Sequence, residues 1–309
     1  MTTATRALRG GTRASRLARC QTACVVDALR ARAGAACEEV LISTEGDRTF
    51  DQPLPEIGGK GVFTEALEAA LRDTTIDFAV HSLKDLPVER SEDLVVAAVC
   101  SRADPRDVVI ARDRRTLATL PRGARTGTSS TRRMAQLRAA RADLAIVPLR
   151  GNVDTRVRKA LAGEYDAIVI AAAGVERLGL GAAITEYLPY EIMLPAPGQG
   201  ALAIQCRADD RATRALLGTL DDPIARTTTT AERAFLKALG GGCAAPIAAL
   251  GEAITTNVSP RFRLTGLVAS VDGTRVVRAT GDAPLADAEE LAGRLADDAI
   301  ARGARELLQ

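Results

Sequence analysis

The chain has no tryptophan, three tyrosines and five phenylalanines among its 309 residues. That is too few rings to build the stacking surfaces that hold single-stranded nucleic acid. A net charge of +2 gives little general attraction to DNA or to anionic membranes, so neither is expected as a partner. His81 is the one histidine. The six cysteines, Cys20, Cys24, Cys37, Cys100, Cys206 and Cys243, form no CxxC pair and have no histidine cluster to join. A zinc site or a disulfide framework is therefore not expected, and a reducing cytoplasm fits. No run approaches the roughly 18–20 apolar residues of a membrane span. The spacing GxxxxGK[ST] is missing, which disfavours nucleotide binding. The first 26 residues hold five arginines and no acid, as transit peptides do. Against that reading, a strand-and-helix pattern already begins by Leu8, leaving almost nothing to cleave.

What is present is an ordinary globular composition, 47% apolar and 26% charged, in a chain long enough for two or three domains. Its cationic charge is lopsided, with 37 arginines against four lysines. A GC-rich coding bias accounts for most of the skew. Arginine is still the side chain suited to forked recognition of carboxylates, and the scarcity of lysine makes Lys60 and Lys84 stand out.

The pattern along the chain alternates short apolar runs with amphipathic ones. A turn at Gly11–Ser15 follows a short strand and opens a helix reaching about Arg32. Val40–Ser43 reads as a strand, and the polar, Gly/Pro-containing stretch Thr44–Gly61 is long enough to be a lid. A helix over about Phe63–Arg72 precedes strand Ile76–Val80, and Leu94–Cys100 is a further strand. Ser101–Pro105 marks a crossing. Beyond it come strands Val108–Ala111, Ala124–Thr126, Leu144–Pro148 and Ala167–Ala171, with helices from Ser129 and Asn152 between them. This alternation is that of βαβ units. A second crossing, Leu194–Gly200, returns the chain to strand Ala201–Cys206. The remainder reads as a helix from Pro223 to about Leu239, then strands with a hairpin turn at Val271–Thr274, then a helix from about Ala286. The expected fold is α/β with three domains: mostly parallel sheets with helices on both faces in the first two, and a small α+β third. The boundaries are 1–100 with 201–218, then 106–194, then 223–309.

Several polar motifs share one position, the end of a strand entering a helix or loop. Ligands of open α/β sheets bind at such ends, and free N–H groups at the following helix start favour anions. Gly127-Thr-Ser-Ser-Thr-Arg-Arg133, Leu149-Arg-Gly-Asn-Val-Asp-Thr-Arg156 and Gly11-Thr-Arg-Ala-Ser15 all qualify. A single arginine is usually a solvated surface residue, but three clusters at equivalent positions point to a polyanionic small molecule in a cleft. Asp85, in His81-Ser-Leu-Lys-Asp85, closes an apolar strand. Next to cations a carboxylate there stays ionised and can stabilise a cation formed during reaction; read as spacing alone, it merely closes a turn before Pro87. His81 reads as a structural histidine, since no nucleophile and base surround it. Cys243, behind Gly240, Gly241 and Gly242, is a thiol on bare backbone.

The ordered set GTRAS, GGKG, HSLKDLP, DPRD, GTSSTRR, LRGNVDTR, YDAIVIAAAG, RLGL, APGQGALAIQCR, TAERAFL and GGC resembles the porphobilinogen deaminase (hydroxymethylbilane synthase) family. The resemblance runs from about Leu8 to the C-terminus and loosens beyond Pro246. It implies two lobes like those of a periplasmic binding protein, plus the third domain. It also implies a transferase that condenses four porphobilinogen molecules head to tail, with loss of ammonia, into linear hydroxymethylbilane in tetrapyrrole biosynthesis. One dipyrromethane per chain serves as primer, fixed as a thioether to the cysteine matched by Cys243. By the same resemblance Asp85 is the catalytic carboxylate. Lys84, Thr128, Ser129, Ser130, Arg132 and Arg133 hold the cofactor. Arg13, Ser15, Arg150, Arg156, Arg177 and Gln199 face substrate, whose rings each bring an acetate and a propionate. Lys60 and Phe63 end the lid. A cytoplasmic monomer is implied. The chain departs from the family pattern at Arg16, Glu45 and Asp154, and the last is expected to point outward. A non-enzymatic binder of small anions would share the fold and the arginines, but gives no reason for Asp85 beside Lys84 or for a glycine-flanked Cys243.

Overall fold

Two glycines set how closely the first strand is packed. A Cβ at Gly10 would lie 2.6 Å from the Phe78 ring and one at Gly11 would lie 2.3 Å from Ile76 Cδ1, so β1 (Leu8–Thr12) can be bare on both faces. The computed structural model describes residues 6–43, 64–89, 91–242, 245–254 and 260–308, and these pack as two units. One holds residues 1–102 and 201–226, the other 103–200 and 227–309.

In the first unit β1 leads to α1 (Arg16–Ala33), which the Ser15 hydroxyl caps by accepting from Ala18 N and which Gly34 closes with a left-handed φ of 61°. Next come β2 (Cys37–Leu41), α2 (Glu65–Arg72), β3 (Phe78–Ser82) and β4 (Leu94–Val99). The second unit then builds β5 (Asp107–Ile110), β6 (Arg125–Gly127), α3 (Thr131–Ala140), β7 (Ala145–Val147), α4 (Val153–Leu161), β8 (Ala167–Ala171), α5 (Ala172–Arg177) and β9 (Glu186–Tyr187). The chain returns as β10 (Leu202–Arg207) and α6 (Arg211–Gly218), continues through α7 (Pro223–Ala238), and ends with β11 (Ile247–Ile254), β12 (Arg261–Ala269), β13 (Val276–Pro284) and α8 (Ala288–Ala301).

The two five-stranded sheets repeat one topology, with orders β2-β1-β3-β10-β4 and β7-β6-β8-β5-β9. Three neighbouring strands of each pair in parallel, as the βαβ pattern demands. The strand arriving straight from a crossing segment, β10 in one sheet and β5 in the other, is antiparallel to both its neighbours. The third sheet, β11-β12-β13, is an antiparallel meander.

A buried carboxylate braces the first unit through arginines that are themselves partly or largely exposed. Asp77, 1% exposed, accepts from Arg6 Nη2 at 2.8 Å and from Arg9 N at 2.8 Å, with Arg207 Nη2 at 3.4 Å. Burial would raise its pKa, but the hydrogen bonds from Arg9 and Arg6 outweigh this and hold the carboxyl below the usual range. In the second unit the meander packs on α3 through Ala135, Leu194, Ala248, Leu250, Leu267 and Ala269. The predicted hairpin turn is the contact point. A Cβ at Gly273 (φ 75°) would lie 2.6 Å from Ala139 N, and Arg138 donates to Val271 O at 2.7 Å.

Candidate active site

Buried leucines flank Asp85 and aim it outward. Leu83 and Leu86 are 3% and 4% exposed, on either side of the single turn of 3-10 helix Leu83–Asp85 that ends β3. Leu83 N donates to Ala201 O at 3.0 Å, so the β3–β10 ladder runs right up to the turn. Lys84 is consequently half-buried and Asp85 exposed. Gln21 on α1 donates to Ser82 Oγ at 3.0 Å and fixes the strand end from the helix side. His81 is buried, in keeping with a structural role. Arg13 is half-buried at the end of β1, and Ser15 commits its acceptor to the α1 cap.

In the second unit the hydroxyls of GTSS organise backbone. Ser129 Oγ donates to Leu149 O at 2.9 Å and accepts from Leu149 N at 3.0 Å, stitching this loop to the LRGN loop. Ser130 caps α3, and Thr128 Oγ1 accepts from Ser130 N at 3.3 Å. Arg156 Nε donates to Gly151 O at 2.6 Å, and Arg177 Nη2 to Gly200 O at 2.7 Å. Arg150 is half-buried. Gln199 donates to Pro105 O at 2.7 Å and to Asp107 Oδ1 at 3.0 Å.

Arg132 and Arg133, in the first turn of α3, are buried at 4% and 6% exposure. Both pair with Asp107, which is wholly buried at the start of β5: Arg132 Nη1 to Oδ2 at 2.7 Å, Arg133 Nη2 to Oδ1 at 2.8 Å. Arg132 Nη1 also donates to Leu194 O at 2.6 Å. Burial pushes the Arg132 pKa down, with Asp107 pulling the other way. Two guanidiniums thus share one carboxylate in a dry site, a surplus of positive charge that suits an anionic ligand.

Sequence reasoning passed over Asp107, Gln136 and Glu232. Gln136 pairs with Leu194 in both directions, accepting from its N at 2.8 Å and donating to its O at 3.1 Å. Glu232, 0% exposed, accepts from Gly198 N and from Gly251 N, each at 2.7 Å. It ties α7 to the APGQG crossing. The available signal was an acid set against apolar neighbours, in DPRD before Val108 and in TAERAFL.

Of the departures, Arg16 is the exposed first residue of α1. Asp154 sits half-buried in the first turn of α4, where the helix N-terminus favours negative charge. Glu45, Lys60, Phe63 and Cys243 lie outside the described residues. The approach to Cys243 is described: Gly240 leaves α7 with a φ of 69°, and a Cβ at Gly241 would lie 2.3 Å from Ile247 Cδ1. Gly241 is therefore bare for packing, whereas Gly242 has open space around it. Uncrowded backbone ahead of a thiol, and buried guanidiniums in excess of their carboxylate, are what a cysteine-linked cofactor bearing carboxylates needs. The residues present fit dipyrromethane.

The first unit thus carries an exposed acid at a strand end, Asp85, and the second carries two buried arginines on one carboxylate, Asp107. The chain belongs to the porphobilinogen deaminase family. Residues 8–215 match the family's "dipyromethane cofactor binding domain" and residues 226–301 its C-terminal domain. The chain is 48% identical over 312 residues to porphobilinogen deaminase 1 of Streptomyces coelicolor, with 98% of each chain covered. It is also 48% identical to porphobilinogen deaminase of Brevibacillus brevis, covering 96% of this chain and 95% of the other. Among solved structures it is similar to a periplasmic substrate-binding protein of an ABC transporter from Coxiella burnetii, at a TM-score of 0.42 and 16% identity, covering 71% of this chain and 94% of that one.

Proposed function

We propose that the chain condenses four porphobilinogen molecules head to tail, releasing ammonia, into linear hydroxymethylbilane for tetrapyrrole biosynthesis. The observation that carries this is the match of both family domains along nearly the whole chain. Dipyrromethane, when bound, supplies the nucleophilic pyrrole carbon to which the first substrate ring is joined, and Cys243 is the residue that would hold it as a thioether.

The other steps belong to the chain's own side chains. Asp85, exposed at the end of β3, accepts the pyrrole N–H of the ring that is losing its aminomethyl nitrogen. Its negative charge favours the cationic ring left by the departing ammonia, and its oxygens hold the proton released when the new bond forms. Lys84, Thr128, Ser130, Arg132 and Arg133 hold cofactor carboxylates, and Ser129 fixes their loop to the LRGN loop through Leu149. Arg13, Ser15, Arg150, Arg156 and Arg177 receive the carboxylates of incoming rings, while Gln199, whose amide N–H groups go to Pro105 O and Asp107, holds Asp107 in place. Each charge-assisted bond contributes roughly 1.5–3 kcal/mol. The reading places the Asp85 domain at 1–100 with 201–218, the arginine domain at 106–194 and the cysteine domain at 223–309, in a cytoplasmic monomer. No helix among the described residues is long and apolar enough to cross a membrane.

Replacing an exposed carboxylate leaves the core untouched, so Asp85→Ala keeps the wild-type circular dichroism and melting curve. Ammonia release and bilane formation should fall by about 10³-fold or more, since an electrostatic group is lost where charge develops. Near-normal turnover in this variant would remove Asp85 from its role.

A further inference from the structure

Asp107 receives more than a strand-end carboxylate needs. Its Oδ2 takes Arg132 Nη1 at 2.7 Å, while Oδ1 takes Arg133 Nε at 2.9 Å and Gln199 Nε2 at 3.0 Å. Each oxygen thus fixes a different guanidinium, and Gln199 fixes the carboxylate in turn. The ion pairs occupy Nη1 of Arg132 and the Nε–Nη2 edge of Arg133, so a second anion would take the remaining N–H groups. A purely structural clamp would match one buried guanidinium to one carboxylate; leaving a second cation under-compensated in a dry site is costly. The surplus makes sense if a ligand carboxylate completes the balance.

We infer that Asp107 is a positioning residue: it sets the orientation in which Arg132 and Arg133 receive the carboxylates of dipyrromethane. This rests on the reading that those arginines hold the cofactor. Asp107 itself touches neither cofactor nor substrate. It acts by fixing each guanidinium through a different oxygen, where a displacement of about 1 Å at a binding group is enough to lose most of its effect.

The test is the fraction of chains that carry the dipyrromethane mass, measured by intact-protein mass spectrometry on the folded, size-exclusion-purified fraction. Wild type is compared with Arg132→Gln, Arg133→Gln, Asp107→Asn and Asp107→Glu. A merely structural role would lower yield and melting temperature but leave the folded chains loaded. The positioning role predicts that folded Asp107→Asn carries about tenfold less adduct or lower still. Asp107→Glu keeps the charge but shifts it by one methylene, and should also be depleted. If Asp107→Asn does not fold, Asp107→Glu decides. Wild-type loading in the folded Asp107 variants, with both arginine variants depleted, overturns the positioning role alone. Wild-type loading in both arginine variants overturns the cofactor reading beneath it, and the inference falls with it.

Discussion

His81 offers a pH test that one residue makes clean, since the chain has a single histidine. The imidazole lies on β3 within the sheet, 5% exposed. Burial pushes its pKa down to about 4, opposed by Gln205 and reinforced by the Arg13 guanidinium. Gln205 approaches without true hydrogen-bond geometry: His81 Nε2 and Gln205 Oε1 are both buried and unpartnered. In the unfolded chain the ring titrates near ~6.5, so on acidification the unfolded chain binds the proton first. His81 adds no pH dependence above about 6.5. Stability is then lost between about pH 6.5 and 4, and the loss levels off below that. At about 1.4 kcal/mol per tenfold change in proton affinity, the loss amounts to about 3 kcal/mol. Urea unfolding of wild type and His81→Gln between about pH 4 and 7.5 isolates this contribution as the difference in slope. Carboxylates such as Asp77 lose their contribution at lower pH, as the pH falls below their unfolded value of ~3.9 towards a depressed folded value. The imidazole resonance of the folded protein should titrate near pH 4. A midpoint near 6.5, or equal slopes in the two proteins, would refute the reasoning.

Two further perturbations test how the APGQG crossing is held. Glu232→Ala leaves two buried N–H groups, of Gly198 and Gly251, without an acceptor; at about 1–3 kcal/mol each, the variant should lose roughly 2–6 kcal/mol in chemical denaturation, and a loss below 1 kcal/mol would contradict the buried bridge. Gly200→Ala puts a Cβ 2.4 Å from Ala103 O at a φ of +89°; it should cost about 3 kcal/mol or more, and a melting temperature equal to wild type would show that the close approach is absent.

The residue pattern located elements well where burial made them regular, and poorly where it did not. β8, Ala167–Ala171, is an apolar run buried along four of its five residues, and its limits match the expected ones. β2 was expected at Val40–Ser43 and lies at Cys37–Leu41, because Cys-Glu-Glu-Val-Leu is an exposed edge strand without apolar alternation. Its place is set by pairing of Leu8 with Cys37, a long-range fact. The two antiparallel insertions had no local signal, since strand direction depends on what the chain does between strands.

At the candidate site, the motifs named which residues to look at but not the commitments of individual side chains. Arg132 finds Asp107 25 positions away, Ser129 finds Leu149 20 positions away, and Glu232 finds Gly198 34 positions away. No local spacing rule reaches such distances. Hydroxyls expected to face ligand are largely holding loops and helix starts, and an acid overlooked in DPRD anchors the arginines.

The central claim is that this chain builds its product on a cofactor fixed to Cys243, and the intact mass of active, purified protein tests it most directly. The mass should exceed that of the sequence by one dipyrromethane, and the excess should vanish in Cys243→Ser together with bilane synthesis. An active wild-type protein at the bare sequence mass, or an adduct that survives in Cys243→Ser, would contradict the account.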